Sequence, residues 1–339
     1  MTEISKEGPR VNSQNNARSK KRLRQNDNCT RRKEARKEEE EEKDHGFPRT
    51  LRAGNGYITA GCLQPTPATA TEATFRANFA RDGYLLIRGH LPRRQVKAAR
   101  AKIVEDMTER GFVEKGSDDT KQGGQARISK PPEGCKEDAG DSPGLLQRQD
   151  LANSPTVRAV LEHPKLKDLL QILFGRIAAQ RSKDSENDQA NGVGQTAITP
   201  HPYKWLRSVP PGLNTGPHVD RVYFPNLQTI WIPLGDINTS LGSLVLVPGS
   251  HTSEAFSNFH ATYGNSSVGK DGTQSGWCTD DVSQISTLFK IDENAMNWVT
   301  EDVRMGDVIV VDNRTLHMSA TNVLDPPTWR ISCDTRWFC

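Results

Sequence analysis

The chain is 339 residues long, 34% hydrophobic and 26% charged, with a formal net charge of +3. That length supplies one large domain or two small ones, and so small a net charge excludes bulk electrostatic attraction to nucleic acid or a membrane surface. No apolar run reaches the roughly eighteen residues of a membrane span, and no apolar signal core stands at the N-terminus, so export by that route is not expected.

The six cysteines, Cys29, Cys62, Cys135, Cys278, Cys333 and Cys339, show no paired spacing. They read as free thiols of a reducing compartment rather than a disulfide frame or a zinc knuckle. The expected location is cytoplasmic.

Residues 1–46 are polar and charge-dense, with a basic cluster at 19–24 and an unbroken glutamate block at 38–42. Such a tail cannot bury enough apolar surface to offset its ordering entropy. Disorder is predicted, with a short helix around 31–43. The basic cluster Ser19 to Arg24 reads as a solvated tail or as a nuclear-localisation or nucleic-acid patch. Residues 47–70, rich in Pro and Thr, are expected to be an extended lead-in.

A single domain is expected over 71–339. Residues 74–81 suggest a helix, and 83–89 an apolar strand bounded by Gly83 and Gly89. Pro92 opens a helix to about Arg110, with Val96, Ala99, Ile103 and Met107 on one face. Residues 114–145 should be a long loop. A helix pair covers 154–174, started by Ser154-Pro155, and its leucine stripe reads as core packing. Residues 181–194 are read as an exposed insertion.

From Tyr203 the texture turns to β. Strands are predicted at 203–209, 218–224, 227–234, 243–247, 301–311 and 329–338, and 250–300 reads as a polar excursion over one mouth of the sheet. Short strands with turn residues between them, preceded by helices, fit a jelly roll flanked by N-terminal helices: mainly β, of the α+β kind.

His218 and Asp220 are the residues most suggestive of chemistry. On an extended strand, residues i and i+2 face the same side, so this imidazole and carboxylate project together. His317, placed at the end of an apolar strand, offers a third ligand. Two histidines and one carboxylate leave coordination positions open, as a non-haem iron(II) oxygenase needs. Arg330 offers a planar fork able to grip a carboxylate such as that of 2-oxoglutarate.

These residues, in order, resemble the phytanoyl-CoA dioxygenase family of Fe(II)/2-oxoglutarate-dependent oxygenases. The matching pieces are 83–89 with Pro92, Phe174-Gly175, Lys204-Trp205-Leu206-Arg207, His218-Val219-Asp220, 231–236, Gly242-Ser243-Leu244, 248–251, Gly306-Asp307-Val308, His317 and Arg330-Ile331-Ser332. They cover about 71–339 with gaps.

The resemblance implies a double-stranded β-helix, a cupin-like jelly roll. It implies Fe(II) on His218, Asp220 and His317, and 2-oxoglutarate paired with Arg330, helped by Ser332 or Ser319. Trp231 stands where the family places an aromatic wall beside the co-substrate, and ordinary core packing is the other reading of that residue. Arg207 or Lys204 could reach a carboxylate, and a surface salt bridge is the other reading of Lys204. His251 reads as a loop-closing residue, and His201 has no assigned partner.

The implied reaction consumes 2-oxoglutarate and O2, releases succinate and CO2, and oxidises a small organic substrate. Related halogenases lack the carboxylate ligand, so Asp220 favours hydroxylation. Two other classes stay open: a jelly-roll metalloenzyme without oxygenase chemistry, and a non-catalytic binding protein whose basic tail meets nucleic acid. Arg330 speaks against the first and the complete triad against the second.

Overall fold

The architecture follows from strands that bury a different set of side chains on each face. In the computed structural model, residues 46–118, 124–129, 143–185, 198–263 and 276–339 are described, 176–185 by backbone alone. The predicted tail and its basic cluster, Cys29, Cys135 and residues 186–194 of the expected insertion lie outside them. Among the described residues, no helix is long and apolar enough to cross a membrane.

Among the described residues, eleven strands form two sheets. They are β1 (Arg49–Ala53), β2 (Gly56–Cys62), β3 (Tyr84–Ile87), β4 (Thr199–Pro200), β5 (Trp205–Val209), β6 (Leu227–Pro233), β7 (Leu244–Leu246), β8 (Val299–Thr300), β9 (Val308–Val311), β10 (His317–Ser319) and β11 (Arg330–Phe338). The minor sheet has the order β1-β2-β8-β7-β10. The major sheet has the order β3-β9-β6-β11-β4, with β5 also on β11.

The helices are α1 (Glu72–Asp82), α2 (Arg93–Glu109), α3 (Gln149–Ala152), α4 (Pro155–Leu161), α5 (Pro164–Ser185), α6 (Ser257–Thr262) and α7 (Ile285–Phe289).

Period-two alternation sorts the side chains into three cores. Leu85, Ile87, Ile230, Ile232, Val308, Val310, Ile331 and Trp337 leave the outer face of the major sheet and pack with the helical residues Val96, Ile103, Val160 and Leu170. Their neighbours Tyr84, Leu86, Trp231, Ile309 and Val311 point the other way and meet Leu244 and Leu246 of β7 between the sheets. Val245 and Met318 leave the minor sheet outward, onto Phe256, Phe259, Ile285 and Phe289. This is the double-stranded β-helix with flanking helices.

Several expectations need correction. Residues 49–62 are more than a lead-in: β1 and β2 pair residue for residue, and β2 joins β8 in parallel. The segment 218–224 is not a strand. His218 makes one bridge, Val219 stays extended at φ −125° and ψ 137°, and a 3-10 turn starts at Asp220.

The apolar strand before His317 ends at Val311, and His317 opens β10 in the other sheet. The excursion 250–300 carries α6, α7 and β8 and supplies the apolar cover of the minor sheet. Helix α5 runs on to Ser185, so the first part of the expected insertion at 181–194 is helical.

Candidate metal centre

His218 and His317 come from different elements and meet through their backbones. His218 N–H donates to His317 O at 2.9 Å, and His317 N–H donates to His218 O at 3.0 Å. The loop before His218 is tied to β10 twice more, by Ser319 N–H to Thr215 O at 3.0 Å and by Thr215 N–H to Ser319 Oγ at 2.8 Å. From outside, Cys278 N–H donates to Pro217 O at 2.9 Å. The Trp277 ring lies where a side chain on residue 216 would go, which is why that position is glycine.

The two imidazole rings stand 4.2 Å apart between centroids. Each turns Nδ1 to a carbonyl two residues back, His218 to Gly216 O and His317 to Thr315 O, both at 2.8 Å. A carbonyl only accepts, so Nδ1 carries the proton and Nε2 keeps its lone pair. Burial and the neighbouring His317 lower the His218 pKa to about 3.

The carboxylate follows at once. The extended Val219 brings Asp220 Oδ1 to 3.9 Å from His218 Nε2. Donor atoms of His218, Asp220 and His317 all lie within 4.8 Å of one another. Burial acts to raise the Asp220 pKa, but the Arg336 guanidinium, the two imidazoles and the Thr229 hydroxyl outweigh it and hold the group well below the usual carboxylate range. Two imidazoles that present Nε2 and one ionised carboxylate form a donor set suited to a divalent first-row metal.

The triad opens on a cleft also lined by Arg207, Thr229, Trp231, Ser319, Arg330 and Asp334. Arg330 is 2% exposed. Its Nη1 donates to Gly242 O at 2.8 Å, its Nε finds no acceptor, and it forms no ion pair with a described residue. Burial, together with the nearby Arg207, lowers its pKa to about 10, so it remains a cation near neutrality. A buried cation without a carboxylate, facing a metal-type donor set, fits an anionic co-substrate.

The other sequence-derived residues divide. Trp231 satisfies both of its readings, since it packs between the sheets and lines the cleft. Ser319 lines the cleft and accepts from Thr215 N–H, which leaves its own hydroxyl proton free to donate. Ser332 is buried without a partner for Oγ.

Arg207 lines the cleft but already donates from Nε to Asp334 Oδ2 at 3.0 Å. Lys204 is elsewhere and is not at the surface. It is 0% exposed and pairs with Glu162 Oε1 at 2.8 Å. His251 packs against the end of α1, with Nε2 3.2 Å from Ala80 O. His201 Nδ1 accepts from Tyr203 N–H at 3.1 Å. Among the described residues, Cys62, Cys278 and Cys333 are free thiols, as expected.

Two residues escaped the sequence reading. Thr229 donates to Asp220 Oδ2 at 2.5 Å, and Arg336 donates from Nη2 to Asp220 Oδ1 at 2.9 Å. The signal for Arg336 was its register on β11. Arg330, Ser332, Asp334 and Arg336 alternate with the apolar Ile331, Cys333 and Trp337 on the other face.

Comparison with known proteins follows this geometry. The family model for phytanoyl-CoA dioxygenase (PhyH) matches residues 79–325. No curated protein matches the chain. Among solved structures, the non-heme alpha ketoglutarate dependent carbocyclase SnoK from nogalamycin biosynthesis is similar at 20% identity and a TM-score of 0.46, covering 81% of this chain and 87% of that one. EctD from S. alaskensis is similar at 15% identity and a TM-score of 0.46, covering 82% of each chain. EvdO2 from Micromonospora carbonacea var. aurantiaca, complexed with 2-oxoglutarate, is similar at 16% identity and a TM-score of 0.43, covering 81% of this chain and 94% of that one.

Proposed function

The chain belongs to the phytanoyl-CoA dioxygenase family, and on that premise we propose that it hydroxylates a small organic substrate, with His218, Asp220 and His317 holding Fe(II) and Arg330 holding 2-oxoglutarate. As a member it is a 2-oxoglutarate-dependent non-haem iron enzyme that uses Fe(II), 2-oxoglutarate and O2. The observation that carries the residue assignment is Arg330. This buried guanidinium lacks an acidic partner among the described residues and faces the cleft that the triad faces.

When bound, iron supplies the O2 chemistry, and 2-oxoglutarate supplies two electrons as it becomes succinate and CO2. One oxygen atom then goes to succinate and the other to the substrate. The protein's own share is placement. Nδ1 of each histidine is held by a carbonyl, so both Nε2 lone pairs are presented without rearrangement.

Arg330 pairs with the distal carboxylate of the keto acid. The Ser319 hydroxyl, and Ser332 beside it on the same face of β11, supply further donors. Trp231 walls the cleft and keeps water from the co-substrate. Arg207 is already paired with Asp334, whose charge acts on Arg330 in the opposite sense to that of Arg207, so Arg330 is the cation left for the co-substrate.

The test is succinate release from 2-oxoglutarate under air with added Fe(II), alongside an anaerobic 2-oxoglutarate binding titration. Binding that needs both iron and Arg330, with succinate formed even without substrate, supports the assignment. Iron-loaded protein that neither binds nor consumes 2-oxoglutarate overturns it.

A further inference from the structure

We propose that Arg336 is a positioning residue: seated in the corner made by two aromatic rings, it holds the Asp220 carboxylate in the orientation that completes the metal site. The inference rests on the assignment of Asp220 as an iron ligand. It concerns a residue that is not itself a ligand and does not line the cleft.

The Asp220 carboxylate is tied at both ends. Oδ1 takes the Arg336 Nη2 proton at 2.9 Å, and Oδ2 takes the Thr229 hydroxyl at 2.5 Å. The terminal torsion of an aspartate is otherwise broad. Here, turning the carboxylate breaks two charge-assisted hydrogen bonds inside a buried site, where Asp220 is 1% exposed.

Arg336 can impose this because it is 3% exposed and seated where two rings meet. Its Cζ lies 3.9 Å from the Trp205 ring centroid and 4.1 Å from that of Phe224, and the two rings meet edge to face with centroids 4.9 Å apart. Phe224 belongs to the turn that Asp220 begins, its N–H donating to Asp220 O at 2.8 Å. Asp220 and one wall of the seat are therefore set by one short segment, while Trp205 comes from β5 beside β11.

The guanidinium is not there as a general hydrogen-bonding group. Nε and Nη1 are buried and find no acceptor, and the next carboxylate, Asp334 Oδ2, is 4.0 Å away. Burying a cation with two unmatched N–H groups is costly. A side chain that only filled space would better have been apolar.

The charge of Arg336 also has a consequence that separates two roles. A cation beside a ligand oxygen repels the metal, so if Arg336 acted only through its charge, its removal would tighten metal binding. If it acts by orienting the carboxylate, its removal loosens metal binding.

The experiment measures anaerobic Fe(II) affinity of the full chain, together with the electronic absorption spectrum of the Co(II) form. Wild type is compared with Arg336→Met, which keeps bulk without charge, and with Arg336→Lys. The expected result is a loss of about 10- to 100-fold in Fe(II) affinity for the Met variant, partial recovery in the Lys variant, and a Co(II) spectrum that moves toward that of Asp220→Ala.

A Met variant with wild-type thermal unfolding and equal or tighter Fe(II) binding overturns the inference. Should Arg336→Met fail to fold, Phe224→Leu removes one wall of the aromatic corner with the charge kept. Weaker Fe(II) binding there supports the inference, and unchanged binding overturns it. Wild type without Fe(II) binding removes the proposed function and this inference together, whereas wild-type binding with an indifferent Met variant removes this inference alone.

Discussion

His218 and His317 hydrogen-bond to each other through their backbones in both directions, at 2.9 Å and 3.0 Å, and so hold their imidazoles side by side, 4.2 Å between centroids and tilted by 51°, before any metal arrives. The pairing does not use the side chains. His317→Ala should therefore fold with near wild-type cooperativity while Fe(II) affinity falls at least about tenfold, the scale of a lost metal contact. Anaerobic Fe(II) titration beside a denaturation curve checks both halves. Undiminished iron binding would remove His317 from the site.

Arg330 carries a cost in the resting protein. It is a buried cation with an unmatched Nε, and its lowered pKa means that burial disfavours the charge by something on the order of a few kcal/mol. Arg330→Met replaces it by an apolar side chain of similar reach. The expected outcome is a thermal midpoint equal to or above that of wild type, together with 2-oxoglutarate affinity weaker by about tenfold or more. A marked loss of stability with unchanged keto-acid binding would make Arg330 a structural residue.

A pH effect follows from His218. Its imidazole titrates near 6.5 when unfolded and at about 3 when folded. Between those values the unfolded chain holds a proton that the folded chain does not. Stability therefore rises with pH across that window and is lost as pH falls through it. Asp220 also loses its contribution on acidification, but only below its ordinary value of 3.8, because its folded pKa is lowered further. In chelator-treated protein, His218→Gln should flatten the fall of the urea midpoint between about pH 6.5 and pH 4.5. An identical slope in the two proteins would contradict a proton-free His218.

The meeting of His218, Asp220 and His317, and the place of Arg330 in the same cleft, were legible because polar residues of metal-binding and anion-binding type stand beside apolar strand sequence. His218-Val219-Asp220 needed only a locally extended Val219, and that much of the expected strand exists. What was not readable depended on tertiary partners.

Lys204 reads as a surface residue until Glu162 arrives from the end of α4 to neutralise it. Residues 49–62 did carry a hairpin signal that the reading passed over, Asn55-Gly56 between Leu51 and Ala53 on one side and Ile58 and Ala60 on the other, but their place in the sheet comes from pairing of β2 with β8. His317 was joined to the wrong strand because residues 312–316 contain no glycine or proline to mark the turn. Arg336 lay on a visible alternation, but its purpose depended on Asp220, distant in sequence and adjacent in space.

The last prediction concerns Gly83, which ends α1 in a left-handed conformation at φ 74°. A Cβ there would collide with Thr315 Oγ1 and the His251 ring. Neither can yield freely: the Thr315 hydroxyl donates to Gly83 O at 2.9 Å, and His251 is 6% exposed. Thr315 O in turn accepts from His317 Nδ1, so a displaced Thr315 carries the His317 imidazole with it.

Gly89 is the control, because it also has positive φ, 58°, but an added Cβ there meets nothing within 4 Å. Gly89→Ala should show backbone strain alone, about 1–2 kcal/mol, with Fe(II) affinity unchanged. Gly83→Ala should lose more stability than that and bind Fe(II) more weakly in the folded fraction. Equal iron affinity in the two variants would break the proposed path from the helix end to His317.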